Sequence, residues 1–525
     1  MPDFDTIVIG SGAGGLAAAV ALSNAGQRVL VLEQHDLPGG WCHSFWLDGF
    51  RFSPGVHYVG GLREGGGLRA VLEGLGVGGD IAFYEMNPDG YDHVVVAGER
   101  FDIPAGRDRF EERLTDRFPR EAANIRRLFA RMLAVDREMG RLQSLRGPAS
   151  LLGLPFKAPN ALRFGWRSAA SIIRGSVTDP FLRAILEVRA GDHGMCPTRV
   201  PFAQHVAVEA HYWDGAWYPK GGGAAFPRAL LKRLRANGGE LRVRTRVRRV
   251  VLDARRAVGV ELENGDVVRA DRVISNADAW TTYGQLVGDE HLSERLRRRV
   301  KRLEPSLSAL SLFLGVEMDV RAAGIDSGNF WVLPNADVSG AYRFAERGDL
   351  HGDGELPALF VTSPTVKDPR PNAGDRHSIE AFTFVPYDPF SGWAGSETGA
   401  RDAEYASFKA ALTERMLSAV ERVVPGVREC ATLCELGTPL TNAHYVNAHR
   451  GNLYGTAKTL TQLGPFAMPL VTEIDGLYHC GASTIAHGVL GALFSGLVTA
   501  GRVLKTPWRA LLDEGRGGEV ALRNA

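Results

Sequence analysis

The stretch TIVIGSGAGGLAAAVALSNAGQRVLVLEQ, Thr6 to Gln34, restricts the fold more than any other. Thr6–Ile9 is an apolar run that predicts a buried strand. Gly14–Asn24 is Ala-rich and predicts a helix, and Arg28–Leu32 predicts a second strand. Gly10, Gly12 and Gly15 stand between the first strand and the helix at G-x-G-x-x-G spacing. In such a unit the first glycine makes the tight turn, the second lets a diphosphate approach the backbone, and the third lets helix pack on strand. The helix N-terminus then offers free N–H groups and the positive end of its dipole. Gly14 belongs to the same cradle. Glu33 closes the second strand, where its carboxylate can accept hydrogen bonds from an adenosine ribose, with Gln34 beside it. The expected fold class is therefore α/β with a Rossmann-type nucleotide domain.

Gly39-Gly40 follow, suited to a second close approach of backbone to the diphosphate. The run E-Q-H-D (Glu33–Asp36), the paired glycines, C-H-S-F (Cys42–Phe45) and G-V-H-Y-V-G (Gly55–Gly60) resemble the retinol saturase and carotenoid isomerase branch of the phytoene-desaturase-like FAD oxidoreductases. That resemblance implies FAD as the cofactor. Cys42 raises a rival reading, a flavoprotein disulfide reductase. Such an enzyme needs a second cysteine five positions on, where this chain has Leu47, and thiol exchange needs both sulfurs within reach. A packed cysteine is the better expectation.

The resemblance extends over nearly the whole chain. In this superfamily a block like Gly215–Asp278 returns the chain to the FAD domain and brings Val247 beside the adenine. A block like Gly476–Leu504 closes that domain, with Gly481, Ala482, Gly488 and Val489 against the flavin or its ribityl chain. The implied organisation is a discontinuous FAD-binding domain (1–65, 215–285 and 436–510), an interleaved α+β substrate domain (66–214 and 286–435) and a flexible tail (511–525). Residues 305–318, 356–364 and 378–387 read as strands of the substrate domain. Val59–Gly76 is glycine-rich, yet no apolar strand leads into it, so it reads as loop and helix. With no second nicotinamide-type fingerprint, electrons would come from NAD(P)H meeting the flavin directly or from another external donor.

Composition excludes several classes. The 61 basic and 60 acidic residues nearly cancel, so nucleic acid is not an expected partner. Five scattered cysteines make no disulfide framework and point to reduced thiols in the cytoplasm. The set His205, Glu209 and His211 and the pair Cys430 and Cys434, four apart as on one helix face, both lack the further ligands a metal site needs. The chain opens directly on a strand rather than on a secretory signal, and its longest apolar stretch, Gly488–Gly501, is too short to span a bilayer. Residues 139–178 carry six Arg or Lys and no Asp or Glu, interleaved with Phe156, Phe164, Trp166 and several Leu and Ile. Such a mixture suits a membrane headgroup region, so peripheral membrane contact is expected there.

For a lipophilic isoprenoid polyene, the implied substrate, a protein must hold one C=C against the flavin in a dry channel and supply or withhold a proton. Saturation and cis–trans isomerisation are the favoured reactions. Carotenoid desaturation, then amine oxidation, are the alternatives. His57, Lys220, His211 and Tyr445 are the candidate proton donors or positioners. No oligomeric state follows from the sequence.

Overall fold

A computed structural model describes residues 2–142, 153–369, 374–513 and 517–524. The opening apolar run is the strand Phe4–Ile9, flanked in parallel by Val29–Leu32 and Val267–Ser275. Its side chains alternate between two cores. Val8 packs with Val29 and Val31 on one face, and Ile7 and Ile9 pack with Leu30 and Leu32 on the other. A strand covered on both faces needs an unbroken apolar sequence, which this one has. Glu240–Arg242 pairs beyond Val29–Leu32, Leu477–His479 pairs with Val267–Ser275, and Val247–Asp253 with Arg256–Leu262 extends the sheet as an antiparallel meander. Three stretches far apart in the chain thus build one nucleotide-type sheet.

The helix Ala13–Asn24 is buried from Ala13 to Ser23 and apolar all round, as a central helix must be. It packs against Gly488–Val503 and Ala225–Ala236. Small residues set the first crossing: a Cβ on Gly496 would lie 1.9 Å from the Gly14 carbonyl oxygen.

A second sheet of seven strands runs in the order Ala431–Gly437, Ser308–Glu317, Arg376–Val385, Leu359–Thr362, Asn329–Leu333, Asp92–Val96 and Glu99–Ile103. The three stretches expected as strands here are strands. Side-chain alternation divides the sheet's faces. Leu310, Leu312, Leu314, Val361, Ile379 and Ala381 pack under the helix Ala403–Glu421. The opposite face presents Trp331, Phe360 and Phe384 to the largest core, with Phe382 packed against it.

Several expectations need correction. The segment after residue 65 does not leave the nucleotide unit at once: Leu68, Val71 and Leu72, from the helix Gly67–Gly74, share a core with Leu16 and Leu493. Leu292, Leu296 and Val300, beyond residue 285, likewise pack with Ile7 and Leu30. The helices Gly67–Gly74 and Glu294–Lys301 each offer one apolar stripe, and the nucleotide sheet has the nearest apolar face. The expected flexible tail adds a strand instead. Ala521–Asn524 pairs in parallel with Ala82–Glu85, and Val520 is buried beside it. Cys430 ends a short helix and Cys434 lies in the following strand, so they share no helix face.

Candidate active site

The glycine turn, Glu33, the paired glycines and the C-terminal helix start converge on one cavity of about 390 Å³. Gly15 explains the turn's tightness, since a Cβ there would sit 2.2 Å from the Gly10 carbonyl oxygen. The helix Ala13–Asn24 starts with no side-chain cap, and Gly12, Ala13 and Gly14 line the cavity. Its first-turn N–H groups lack intrahelical acceptors and are free for a ligand. The helix Gly488–Val503 also starts uncapped, with Gly488 and Val489 on the cavity wall. Two positive helix ends therefore meet one space, the arrangement a dinucleotide diphosphate or a flavin gaining electrons requires.

Glu33 organises the entrance. Its Oε2 accepts from the Ser11 backbone N–H at 2.9 Å and the Ser11 hydroxyl at 2.6 Å, and its Oε1 accepts from the His35 N–H at 2.9 Å. The Ser11 oxygen in turn accepts from the Gly39 N–H at 3.0 Å. Gly39 and Gly40 hold φ of 125° and 54°, the left-handed region, which lets the chain fold back over Gly12. Gln34, Val247, Gly481 and Ala482 also line the cavity, together with Gly10, Gly12, Gly14, Glu33, Gly39 and Gly40. Gly15 alone of the expected cofactor residues stands behind the wall, where its role is to close the turn.

The four proton-donor candidates separate. His57 lines the cavity, its Nδ1 3.3 Å from Glu380 Oε2, a close contact rather than an aligned hydrogen bond. Glu380 Oε1 accepts from the Ser53 N–H at 2.5 Å, and the His57 carbonyl accepts from Lys367 Nζ at 2.7 Å. The His57 ring packs on Phe360 and Phe382, at centroid distances of 5.1 and 5.6 Å. Tyr445 also lines the cavity, but its ring stands edge-on to His35, two residues from Glu33. Lys220 and His211 lie outside the cavity lining. The strand Trp217–Pro219 is buried, and Lys220 follows it with an exposed side chain. His211 Nε2 accepts from the Gly60 N–H at 2.9 Å, and burial pushes the imidazole down to about 4, so it is a neutral structural acceptor.

Sequence reasoning missed Asn276 and Glu380. The Asn276 amide braces the cradle, within 2.8 Å of where Cβ atoms on Gly12, Gly14 and Gly481 would sit. An Asn in the loop after a nucleotide-sheet strand was the available signal. Glu380 gave none, because its meeting with His57 depends on sheet pairing. Cys42 lines the cavity as a free, buried thiol pushed up to about 12 by burial alone, far from the thiolate that disulfide chemistry uses.

These features define a flavin-dependent oxidoreductase: a nucleotide sheet assembled from three stretches, two uncapped helix ends, a carboxylate at the close of the second strand and a second sheet roofing the same cavity. The chain belongs to the flavin containing amine oxidoreductase family, whose model matches residues 13–504, and FAD is the dinucleotide the cradle suits. It is similar to the all-trans-retinol 13,14-reductase of Danio rerio, 31% identical over 530 residues spanning 96% of this chain and 86% of that one. It is also similar to the chloroplastic prolycopene isomerase of Daucus carota, 29% identical over 523 residues, 95% of this chain and 80% of that one. Among solved structures, putrescine oxidase bound to putrescine superposes with a TM-score of 0.62 at 18% identity, covering 96% of this chain and 99% of that chain. That likeness is one of fold.

Proposed function

We propose that this protein is an FAD-dependent oxidoreductase acting on a carbon–carbon double bond of a lipophilic isoprenoid polyene, by saturation or cis–trans isomerisation. The observation that carries the reading is the cavity beyond the nucleotide cradle. There the wall is Pro54, Gly55, Ser311, Phe382, Leu453 and Tyr454, with His57 as its imidazole. Among the described lining residues the only carboxylates are Glu33 and Glu263, which flank the nucleotide end beside Gln34 and Arg246. An ammonium substrate would find no carboxylate on the cavity wall at the His57 end, where Glu380 stands behind the imidazole, whereas an apolar chain fits it. The retinol reductase and prolycopene isomerase relatives point to the same substrate class.

When bound, FAD supplies hydride transfer to or from an alkene carbon. The protein's own part is to keep that carbon dry and to manage one proton. Phe382 and Leu453 exclude water and pack along the chain. With Nδ1 turned to Glu380, the His57 ring leaves Nε2 for the cavity, where it can hold the proton that saturation delivers to the second carbon. Isomerisation consumes no net proton. Net saturation draws two electrons from an external donor, NAD(P)H or another.

Peripheral membrane contact belongs to the same proposal. Phe156 is 91% exposed, Trp166 45% and Phe466 56%, and the Trp166 indole lies 3.8 Å from where a Cβ on Gly464 would sit. Lys157, Arg163 and Arg167 are exposed among them. Residues 143–152 of the expected membrane segment lie outside the described residues. No helix among the described residues is long and apolar enough to cross a membrane.

The test is product analysis. FAD-loaded protein, reduced or oxidised, is incubated anaerobically with retinol, lycopene and phytoene. A gain of two hydrogens means saturation, and an unchanged mass with shifted retention means isomerisation. A loss of two hydrogens assigns desaturation instead. No polyene product, with hydrogen peroxide from an amine panel in air, rejects the proposal.

A further inference from the structure

Behind the main cavity lies a second, far smaller one of about 30 Å³, among Val188, Trp331, Leu333, Ala341, Tyr342 and Phe384. Among the described residues no charged side chain lines it. Phe382 borders both spaces. Its place follows from strand alternation: Glu380, Phe382 and Phe384 project from one face of Arg376–Val385, so the partition stands one step along the strand from the carboxylate behind His57. The Phe382 ring is stacked on Phe360 at 4.7 Å, meets Phe384 edge-on at 5.6 Å and lies near-parallel to His57 at 5.6 Å. Phe360 and Phe384 are buried, whereas Phe382 keeps accessible surface in the protein interior. Phe382, backed by Phe360, therefore separates the site of proton delivery from a mostly apolar pocket with room for about one methyl group.

We infer that this pocket is a binding subsite for the apolar end of the polyene, and that Phe382 sets how much of the chain lies beyond the reacting bond. The inference rests on the functional reading above and deepens it. Beyond Phe382 the described lining carries no charge and, apart from the Thr383 and Tyr342 hydroxyls and the Trp331 indole N–H, is apolar, so a hydrocarbon terminus, and not a charged or strongly polar headgroup, suits that side. A headgroup remains on the nucleotide side of His57, where the lining is polar.

Two substitutions press on the pocket from opposite directions. Phe382→Ala joins it to the main cavity. Ala341→Trp, from the helix Val338–Arg347, exceeds the room there and closes the pocket without changing a residue of the main cavity lining. The readouts are the ratio of kcat/KM for a forty-carbon polyene (lycopene) to that for a twenty-carbon one (retinol), and the ratio of their binding affinities. Phe382→Ala raises both ratios by about tenfold, the worth of roughly two buried methylenes, and Ala341→Trp lowers them by a similar factor. FAD affinity, measured in parallel, reports folding. Phe382→Leu and Ala341→Met replace any variant that fails to load FAD. Variants that load FAD and keep the wild-type ratios overturn the subsite while leaving the functional reading intact. A wild type that neither binds nor converts either polyene overturns both.

Discussion

Gly496→Ala places one methyl group at the crossing of the two helices that bring the first and third nucleotide stretches together. Its Cβ would lie 1.9 Å from the Gly14 carbonyl oxygen and 3.0 Å from the Ala18 nitrogen. Real Cβ atoms essentially never approach closer than 3.0 Å, so the helices must part by about 1 Å. The movement falls on the first turn of Ala13–Asn24, whose N–H groups are the ones offered to the diphosphate. Losing good geometry in two charge-assisted hydrogen bonds, at about 1.5–3 kcal/mol each, weakens FAD by at least about 100-fold. Overpacking adds about 1–3 kcal/mol of lost stability. Fluorescence titration of apoprotein with FAD reads the first effect, and thermal unfolding of the apoprotein reads the second. Wild-type affinity and stability in this variant would refute the assignment of that helix crossing as the backbone of the cofactor site.

Further expectations concern the proton, pH and the surface. Glu380→Gln removes the charge held against His57 and lowers kcat for saturation about 10- to 100-fold, with KM for the polyene retained, in steady-state assays across pH; an unchanged profile would remove Glu380 from the mechanism. His211→Gln keeps an acceptor for the Gly60 N–H and, because His211 stands outside the cavity lining, keeps FAD binding. The His211 imidazole titrates at about 4 when folded and near 6.5 when unfolded, so its contribution is full above pH 6.5 and is lost as pH falls toward 4. Denaturant midpoints of the variant should therefore fall less on acidification, by up to about 3 kcal/mol, and an identical acid slope would contradict the burial argument. Phe156→Glu and Trp166→Glu should reduce sedimentation with anionic lipid vesicles several-fold, and undiminished binding would rule out that face.

What the sequence revealed, and what it hid, divides along local and distant interactions. The Gly10–Gly15 turn, Glu33 and the Gly488 helix start were legible because each is a short-range device: turn geometry, a carboxylate at a strand end, small residues at a helix start. Lys220 was misjudged although it borders a cofactor block, since one step past the buried strand Trp217–Pro219 its side chain turns to solvent. His211 was misjudged because a histidine serving one backbone N–H looks, in sequence, like a histidine serving a substrate. The His57–Glu380 contact joins residues more than three hundred positions apart, and the Phe360–Phe382 stack follows from direct cross-strand pairing. No local pattern announces either. The tail misled through composition: polar and glycine-rich, it still finds a partner in the open edge of Ala82–Glu85.

The account stands or falls on whether one cavity brings flavin and polyene together. FAD-loaded protein, photoreduced without oxygen and mixed with all-trans-retinol in a stopped-flow spectrometer, tests this directly. The polyene absorption band should diminish or shift with reduced protein and remain unchanged when FAD is left out. A polyene band indifferent to the flavin's presence and redox state, in a protein whose flavin is instead reduced by a polyamine, would contradict it.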